Sequence, residues 1–302
     1  MKTFLNKYKA YILGMYAFLI LLHFVLKDSF FFLSILFYAT PLILIIILGF
    51  FLAWVYRKNR ITLLAMLGLS LFFSFQWFSN YYYFAEKNLK SYKTSTLIFW
   101  NVAKKPELQL DILISEIEKS SASIIALVET RHLKNSEVKI LNKKFPDYNF
   151  KRLEDEMLIG VKGKIDSVYN KYVEDSYKFN YINATINNTK AKILIADVSA
   201  NIFINKEKPL HEILSFAEAN TVDVIVGDFN TPFESVHFKN YRLHYTSLHN
   251  FSDGFTATWP FGVPLLELDQ IWLNKKYKPI VLKKEQYLES DHKLLIAKYG
   301  LK

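Results

Sequence analysis

Three long apolar runs crowd the first 83 residues, at about 10–26, 29–56 and 61–83, and they commit that part of the chain to a membrane. A helix needs roughly 20 apolar residues to cross the hydrocarbon core. The second run is longer than that and carries Pro41, which predicts tilt together with a kink. Trp54, Tyr56, Trp77, Tyr81, Tyr82 and Tyr83 stand near run ends, where amphipathic rings favour the interface. Lys2, Lys7 and Lys9 ahead of the first run match the basic start of a signal peptide. No small-x-small cleavage site follows, and Lys27-Asp28-Ser29-Phe30 leads straight into the second run, so an anchor is expected. His23 is expected as a neutral interfacial side chain, because the first run holds no acidic partner for it.

Loop charges give the orientation. Lys2, Lys7 and Lys9 precede the first run, and Arg57-Lys58-Asn59-Arg60 joins the second to the third. The loop between the first two has only Lys27, offset by Asp28. Positive charge on one side places the N-terminus in the cytoplasm. Three crossings then leave the rest outside, as a multi-pass protein of the plasma (inner) membrane with an extracytoplasmic C-terminal domain. A two-crossing hairpin would leave that domain inside.

The net charge of +10 suggests a polyanion binder until it is divided along the chain. Residues 1–93 hold 10 Lys+Arg against 2 Asp+Glu, and residues 94–302 hold 28 against 26. The C-terminal part, at +2, has no bulk electrostatic case for gripping nucleic acid. The absence of Cys excludes disulfides, zinc–thiolate sites and a cysteine nucleophile.

Beyond an expected linker at 86–94, short apolar runs alternate with helical periodicity. Strands are expected at 95–102, 123–129, 177–188, 190–199, 222–226, 268–273 and 294–299. Helices are expected from Pro106, over 135–145 and over 209–219. An Asn-Asn turn separates the 177–188 and 190–199 strands. This alternation predicts layered α/β packing. The domains are therefore 1–93, an anchor, and 94–302, a catalytic candidate.

Polar residues stand at the ends of these apolar strands: Asn101, Glu129, Asp228 with Asn230, Asp269, and Asp291 with His292. A buried carboxylate is costly unless paired or metal-bound. This set of oxygen donors suits a hard divalent cation. Taken singly, each has a plainer role as a cap, a turn residue or a structural ion pair.

Their order resembles the endonuclease/exonuclease/phosphatase superfamily, the deoxyribonuclease-I-like fold. The resemblance rests on Phe99-Trp100-Asn101-Val102, on Ile124 to Glu129, on Gly227-Asp228-Phe229-Asn230, on Leu268-Asp269-Gln270-Ile271 and on Ser290-Asp291-His292. It covers about 94–302. Thr258-Trp259-Pro260 also resembles membrane-anchored bacterial members. The resemblance implies a four-layer α/β sandwich, two packed mixed β-sheets flanked by helices, here preceded by three transmembrane helices. It implies that Glu129, helped by Asn101 and with Asp291 near, binds Mg²⁺ (or Mn²⁺). It implies that Asp228 and Asn230 orient the attacking water and the phosphate. Asp269 would hold His292, itself a general base or a partner of a phosphate oxygen.

Two departures stand out. The family usually carries a His after the strand that precedes the Gly-Asp-Phe-Asn helix, and here the chain reads Ser199-Ala200-Asn201. Asn201 is the expected substitute as a substrate-binding residue, with His211 as a second candidate. Gln270 stands where His is frequent. The expected function is hydrolysis of a phosphodiester or phosphomonoester, in nucleic acid or a phospholipid head group, by a domain tethered to the bilayer. The alternative is a catalytically impaired binding or scaffold domain of the same fold. No protein partner is evident.

Overall fold

The computed structural model describes residues 7–84, 94–263 and 265–301. Lys2 and residues 86–93 of the expected linker lie outside the described residues. The chain divides into two compact units, Met1–Tyr82 with Glu234–Val236, and Tyr83–Phe233 with His237–Lys302.

The first unit is helical. Helix α1 (Lys9–Leu21) runs into a π-helical turn at Leu22–Leu26, where His23 is buried. Helices α2 (Phe31–Ala39) and α3 (Leu42–Val55) are bent by 66° about Thr40-Pro41, and α4 (Arg60–Tyr81) follows. Lys9–Leu26 and Arg60–Tyr81 are long and apolar enough to cross a membrane, and the bent pair makes a third candidate if it counts as one span. The expected kinked second span is thus two helices, because Pro41 has no N–H to continue the first. Asn59 caps α4 by accepting from the Thr62 N–H at 3.0 Å. Gly49 lets helices close up: a Cβ there would stand 2.3 Å from Ser70 Oγ and 2.4 Å from Tyr16 Oη. Ile61, Phe32 and Phe75 are large, apolar and exposed on this unit.

The second unit runs β1 (Thr94–Asn101), α5 (Leu110–Ser120), β2 (Ile124–Val128), α6 (Asn135–Lys144), β3 (Tyr148–Leu153) and β4 (Met157–Val173). It continues β5 (Tyr177–Ile186), β6 (Thr189–Val198), α7 (Glu207–Ala219), β7 (Val224–Asp228) and α8 (Lys239–His244). It ends β8 (Tyr245–Ser247), β9 (Asp269–Asn274), β10 (Tyr277–Glu285) and β11 (Leu294–Leu301). One sheet has the order β10-β11-β1-β2-β4-β3 and the other β4-β5-β6-β7-β9-β8. Strand β4 belongs to both, and it turns the corner at Gly163. There φ is +141° and a Cβ would meet the Thr185 carbonyl at 2.2 Å.

Alternation of side chains builds the layers. On β1, Leu97 and Phe99 join Ile124, Ile159, Ile193, Val226 and Ile271 between the sheets. Their neighbours Ile98 and Trp100 face Leu113, Ile117 and Leu141 on the outer side. Across the molecule, Leu194 and Ile225 pack on Leu210, Ile213 and Ala217 of α7. Helix, sheet, sheet and helix form four layers, as the resemblance implied. Each strand buried on both faces reads as a continuous apolar run. Each fully buried aliphatic side chain contributes about 1.5–3 kcal/mol relative to exposure.

Two local expectations are corrected, and one strand is added. Helix α5 starts at Leu110, not Pro106, because the Leu108 N–H is drawn off to Glu137 Oε1 at 3.2 Å. Strand β7 runs Val224–Asp228 rather than 222–226, since Val222 turns back to the Ala217 carbonyl. The Asn187-Asn188 turn forms with φ of 48° and 63° as expected, and the added strand is β4, which pairs with β5 and carries polar residues such as Lys164, Asp166 and Asn170.

Candidate active site

Parallel pairing of β1 with β2 and of β6 with β7 brings four strand ends to one edge of the sandwich. Antiparallel β9 and β11 bring their starts to the same edge. The ladder there sets Lys178, Asp197, Asp228 and Asp269 side by side in register across β5, β6, β7 and β9. Gly227 makes the β6–β7 approach possible, since a Cβ there would lie 2.1 Å from the Ala196 carbonyl oxygen.

The carboxylates are individually held. Asn101 Nδ2 donates to Asp228 Oδ2 at 2.8 Å, and the Asn230 N–H donates to Oδ1 at 2.9 Å. Asp269 Oδ2 meets His292 Nδ1 at 2.8 Å, which leaves Nε2 facing Asp228 Oδ2 at 3.8 Å. The His292 N–H is fixed by Ser290 Oγ at 3.0 Å, and Ser290 in turn donates to the Asn101 carbonyl at 2.7 Å. Asn230 Nδ2 donates to the Val198 carbonyl at 2.8 Å. Asp228, Asp269, Asn101 and His292 are all buried.

Burial and the like charge of Asp269 push the Asp228 carboxyl up, while His292 opposes. Burial pulls the His292 imidazole down, but Asp269 and Asp228 outweigh it and raise it well above an ordinary histidine. The two carboxylates therefore keep a proton on His292 near neutral pH. Burial also raises Asp197, to about 6, against the pull of Lys178 at 3.2 Å.

Glu129 lies one residue beyond β2 with φ of +58°, and Asn230 has φ of +44°. Such left-handed non-glycine backbone carries a cost and clusters at functional sites. Glu129 shares a pocket with Lys104, Lys178, Asp197, Ser199 and Asn230. Its carboxylate makes one ion pair, with Lys104 at 3.7 Å, and accepts no hydrogen bond among the described residues. An open, partly buried carboxylate beside further oxygen donors fits a hard divalent cation.

The other expected positions lie as follows. Asn101 Oδ1 accepts from the Ala103 N–H at 2.8 Å, so its amide chiefly supports Asp228. Asp291 is exposed and accepts from Trp259 Nε1 at 2.9 Å. Asn201 is exposed, and its Oδ1 accepts from the Phe203 N–H at 2.9 Å. His211 is exposed on α7. Gln270 is buried and links the Thr231 carbonyl to Trp272 Nε1, both at 3.1 Å. Ligand atoms of Asp228, Asp269 and His292 lie within 4.8 Å of one another. With Nδ1 bonded to Asp269, this trio reads as a proton-holding cluster. Asp197 and Lys178 were not singled out in the sequence. A carboxylate closing the run Ile193-Leu194-Ile195-Ala196 was the available signal for Asp197.

A family model described as "Endonuclease/Exonuclease/phosphatase family" matches residues 98–292. Among curated proteins none matches the chain. Among solved structures, D. rerio TDP2 complexed with a single-strand DNA product is similar, at TM-score 0.54 and 15% identity over 69% of this chain and 99% of that one. The human Nocturnin catalytic domain with bound sulfate gives 0.53 and 13%, over 71% and 97%. The Bacteroides thetaiotaomicron mannosyl-6-phosphatase Bt3783 gives 0.52 and 9%, over 68% and 100%. At these identities the likeness is one of fold.

Proposed function

We propose, from the premise that the chain belongs to the endonuclease/exonuclease/phosphatase family, that it is a membrane-anchored hydrolase of phosphate esters working with Mg²⁺ or Mn²⁺. The observation that carries this reading is the buried cluster in which Asn101 holds Asp228, Asp269 holds His292, and His292 Nε2 faces Asp228.

In this reading residues 1–93 anchor the chain and residues 94–302 carry the chemistry, on the extracytoplasmic side of the plasma membrane. Glu129, with Asn101 and Asp291 near, holds the metal. The ion supplies Lewis-acid neutralisation of phosphate charge. Asp228, fixed at both oxygens, orients the attacking water. Asn230 and Asn201 line the approach of the phosphate. Of the two roles open to His292, its raised proton affinity favours the partner of a phosphate oxygen: the protonated Nε2 donates while Asp269 retains Nδ1. Phosphoryl transfer needs this positioning and charge neutralisation more than covalent help.

For the substrate, one observation favours a phospholipid head group over nucleic acid. Phe203, Phe261, Val263 and Leu288 are large, apolar and exposed, on the loops that follow β6 and precede β9 and β11. Apolar tips on three loops at the edge that carries the site suit an acyl-bearing substrate. The DNA product bound by TDP2 supports the nucleic-acid reading by fold likeness alone.

The test is Mg²⁺- or Mn²⁺-dependent hydrolysis of bis-p-nitrophenyl phosphate, single-stranded DNA and phospholipid vesicles by wild type, Asp228→Ala and His292→Ala. The hydrolase reading expects metal-dependent turnover that both variants lose by at least about 10²-fold. Equal activity in all three proteins removes the site. An unchanged, metal-independent background favours the impaired scaffold.

A further inference from the structure

Lys206 is a buried ammonium that the mechanism above does not use. It is 2% exposed and sits just before α7. Its Nζ donates to the Ser199 carbonyl and, at 3.1 Å, to the Asn201 carbonyl. No carboxylate lies within ion-pair distance of it among the described residues. A buried cation without a paired anion is costly, and such a charge persists where something compensates it.

The loop it grips is a wall of the site. Ser199 and Ala200 line the pocket that holds Glu129, Asp197 and Asn230. The residue before them, Val198, accepts from Asn230 Nδ2, and the Asn230 N–H donates to Asp228. Ser199 is tied on its other side to the Ser176 carbonyl at 2.8 Å. Lys206 thus connects to Asp228 through the 198–199 backbone and the two hydrogen bonds of Asn230. The charged groups that act on it directly are Asp228 on β7 and Asp197 on β6, and Lys178 already neutralises Asp197.

We propose that Lys206 is a positioning residue of the hydrolytic site, whose buried ammonium clamps the loop that begins at Ser199 onto the pocket and adds positive charge beside its carboxylate row for an anionic phosphate. The inference rests on the hydrolase reading for its kinetic effect, but its effect on anion binding does not. Two carbonyl contacts hold the wall, and the charge offsets the carboxylate row. Arginine preserves both features, whereas methionine keeps only the apolar stem. Burial lowers Lys206 to about 8, against the pull of Asp228 and Asp197. The positive charge therefore fades as pH rises through that value.

The experiment uses the full chain in detergent micelles with Mg²⁺. It measures kcat on bis-p-nitrophenyl phosphate from pH 6 to 10, and inorganic phosphate affinity by calorimetry, for wild type, Lys206→Met and Lys206→Arg. Lys206→Met is expected to lose roughly 10²-fold in kcat, the cost of removing one preorganised electrostatic group. Its phosphate affinity is expected to fall about tenfold, the effect of removing one buried positive charge near the site. Lys206→Arg is expected to keep kcat within about tenfold of wild type. Its decline above pH 8 should also be shallower than that of wild type, since Asp228 and His292 are common to both and only Lys206 differs. A folded Lys206→Met with wild-type kcat and phosphate affinity overturns the proposal. So does an equal loss in both variants, which would mark a purely steric role. A wild-type protein without turnover, whose phosphate binding still depends on Lys206, leaves the proposal standing and removes the hydrolase reading. A wild-type protein that neither turns over nor binds phosphate overturns both.

Discussion

Asp228 and Asp269 stand directly opposite each other in the ladder of β7 and β9, and His292 bonds to Asp269 while facing Asp228. Two like charges in register are unfavourable in a sheet unless a cation or a proton lies between them. The imidazole, whose proton affinity is raised by Asp269 and Asp228, supplies that proton.

The hold on His292 is the first point to test. Asp269→Asn keeps the shape but removes the charge that fixes the imidazole tautomer and raises its proton affinity. We expect kcat on bis-p-nitrophenyl phosphate to fall by roughly 10²–10⁴-fold, as when a histidine loses its orienting carboxylate. The His292 ring protons, followed by NMR, should titrate at lower pH than in wild type. An unchanged kcat contradicts the role given to Asp269.

Asn101 tests the support of Asp228 separately. Asn101→Ala removes a 2.8 Å donor from a buried carboxylate. A hydrogen bond to a charged group contributes about 1.5–3 kcal/mol. The expected result is a fall in kcat of about 10- to 100-fold with KM for the metal rising as well. Asn101→Asp should be worse, because it adds a further like charge against Asp228.

Gly227 tests how the site is framed. Gly227→Ala drives a Cβ to 2.1 Å from a backbone oxygen that cannot rotate away. Overpacking of this kind costs about 1–3 kcal/mol, often more against backbone. Thermal unfolding followed by tryptophan fluorescence should show a clear drop in Tm. Gly68→Ala, with nothing within 4 Å, should leave Tm nearly unchanged and serves as the control.

A second buried ionic cluster predicts acid sensitivity. Glu267 lies 2.5 Å from His249 Nδ1 and 3.2 Å from Lys284 Nζ. Burial acts to raise Glu267, but His249 and Lys284 prevail and hold it below the usual carboxylate range. A depressed folded value means the stabilisation is present above the unfolded value of about 4.3 and is lost as pH falls through the folded one. Urea unfolding between pH 6 and pH 3 should therefore show wild type losing stability steeply. Glu267→Gln should be less stable at pH 6 by about 3–5 kcal/mol, because the buried Lys284 ammonium and His249 imidazole lose their partner. It should show a shallower fall toward pH 3. Parallel slopes in the two proteins count against the assignment.

Much of the molecule was legible before any coordinates, for identifiable reasons. Strands buried on both faces, such as Ile124–Val128, leave an unbroken apolar run. Asn101, Asp228, Asp269 and His292 stood out because polar groups at the ends of such runs demand partners. The long β4 was harder to see, since beyond Gly163 its polar alternation looks like a solvated loop until β5 is placed against it. Lys206 lay in the stretch Asn205-Lys206-Glu207-Lys208, which reads as an exposed turn. Its burial comes from the return of the chain over Ser199, a tertiary event without a local signature. The place of the expected histidine drew attention to Asn201 and His211, yet both are exposed. The buried cation of that loop comes from five residues further along the chain than Asn201.

The most direct test is a crystal of the full chain soaked with Mn²⁺ and inorganic phosphate, with the manganese located by anomalous scattering. The account predicts the ion against the Glu129 carboxylate and the phosphate between Asp228 and His292 Nε2. An ion and phosphate bound only elsewhere, with Glu129 and His292 bare, would contradict it.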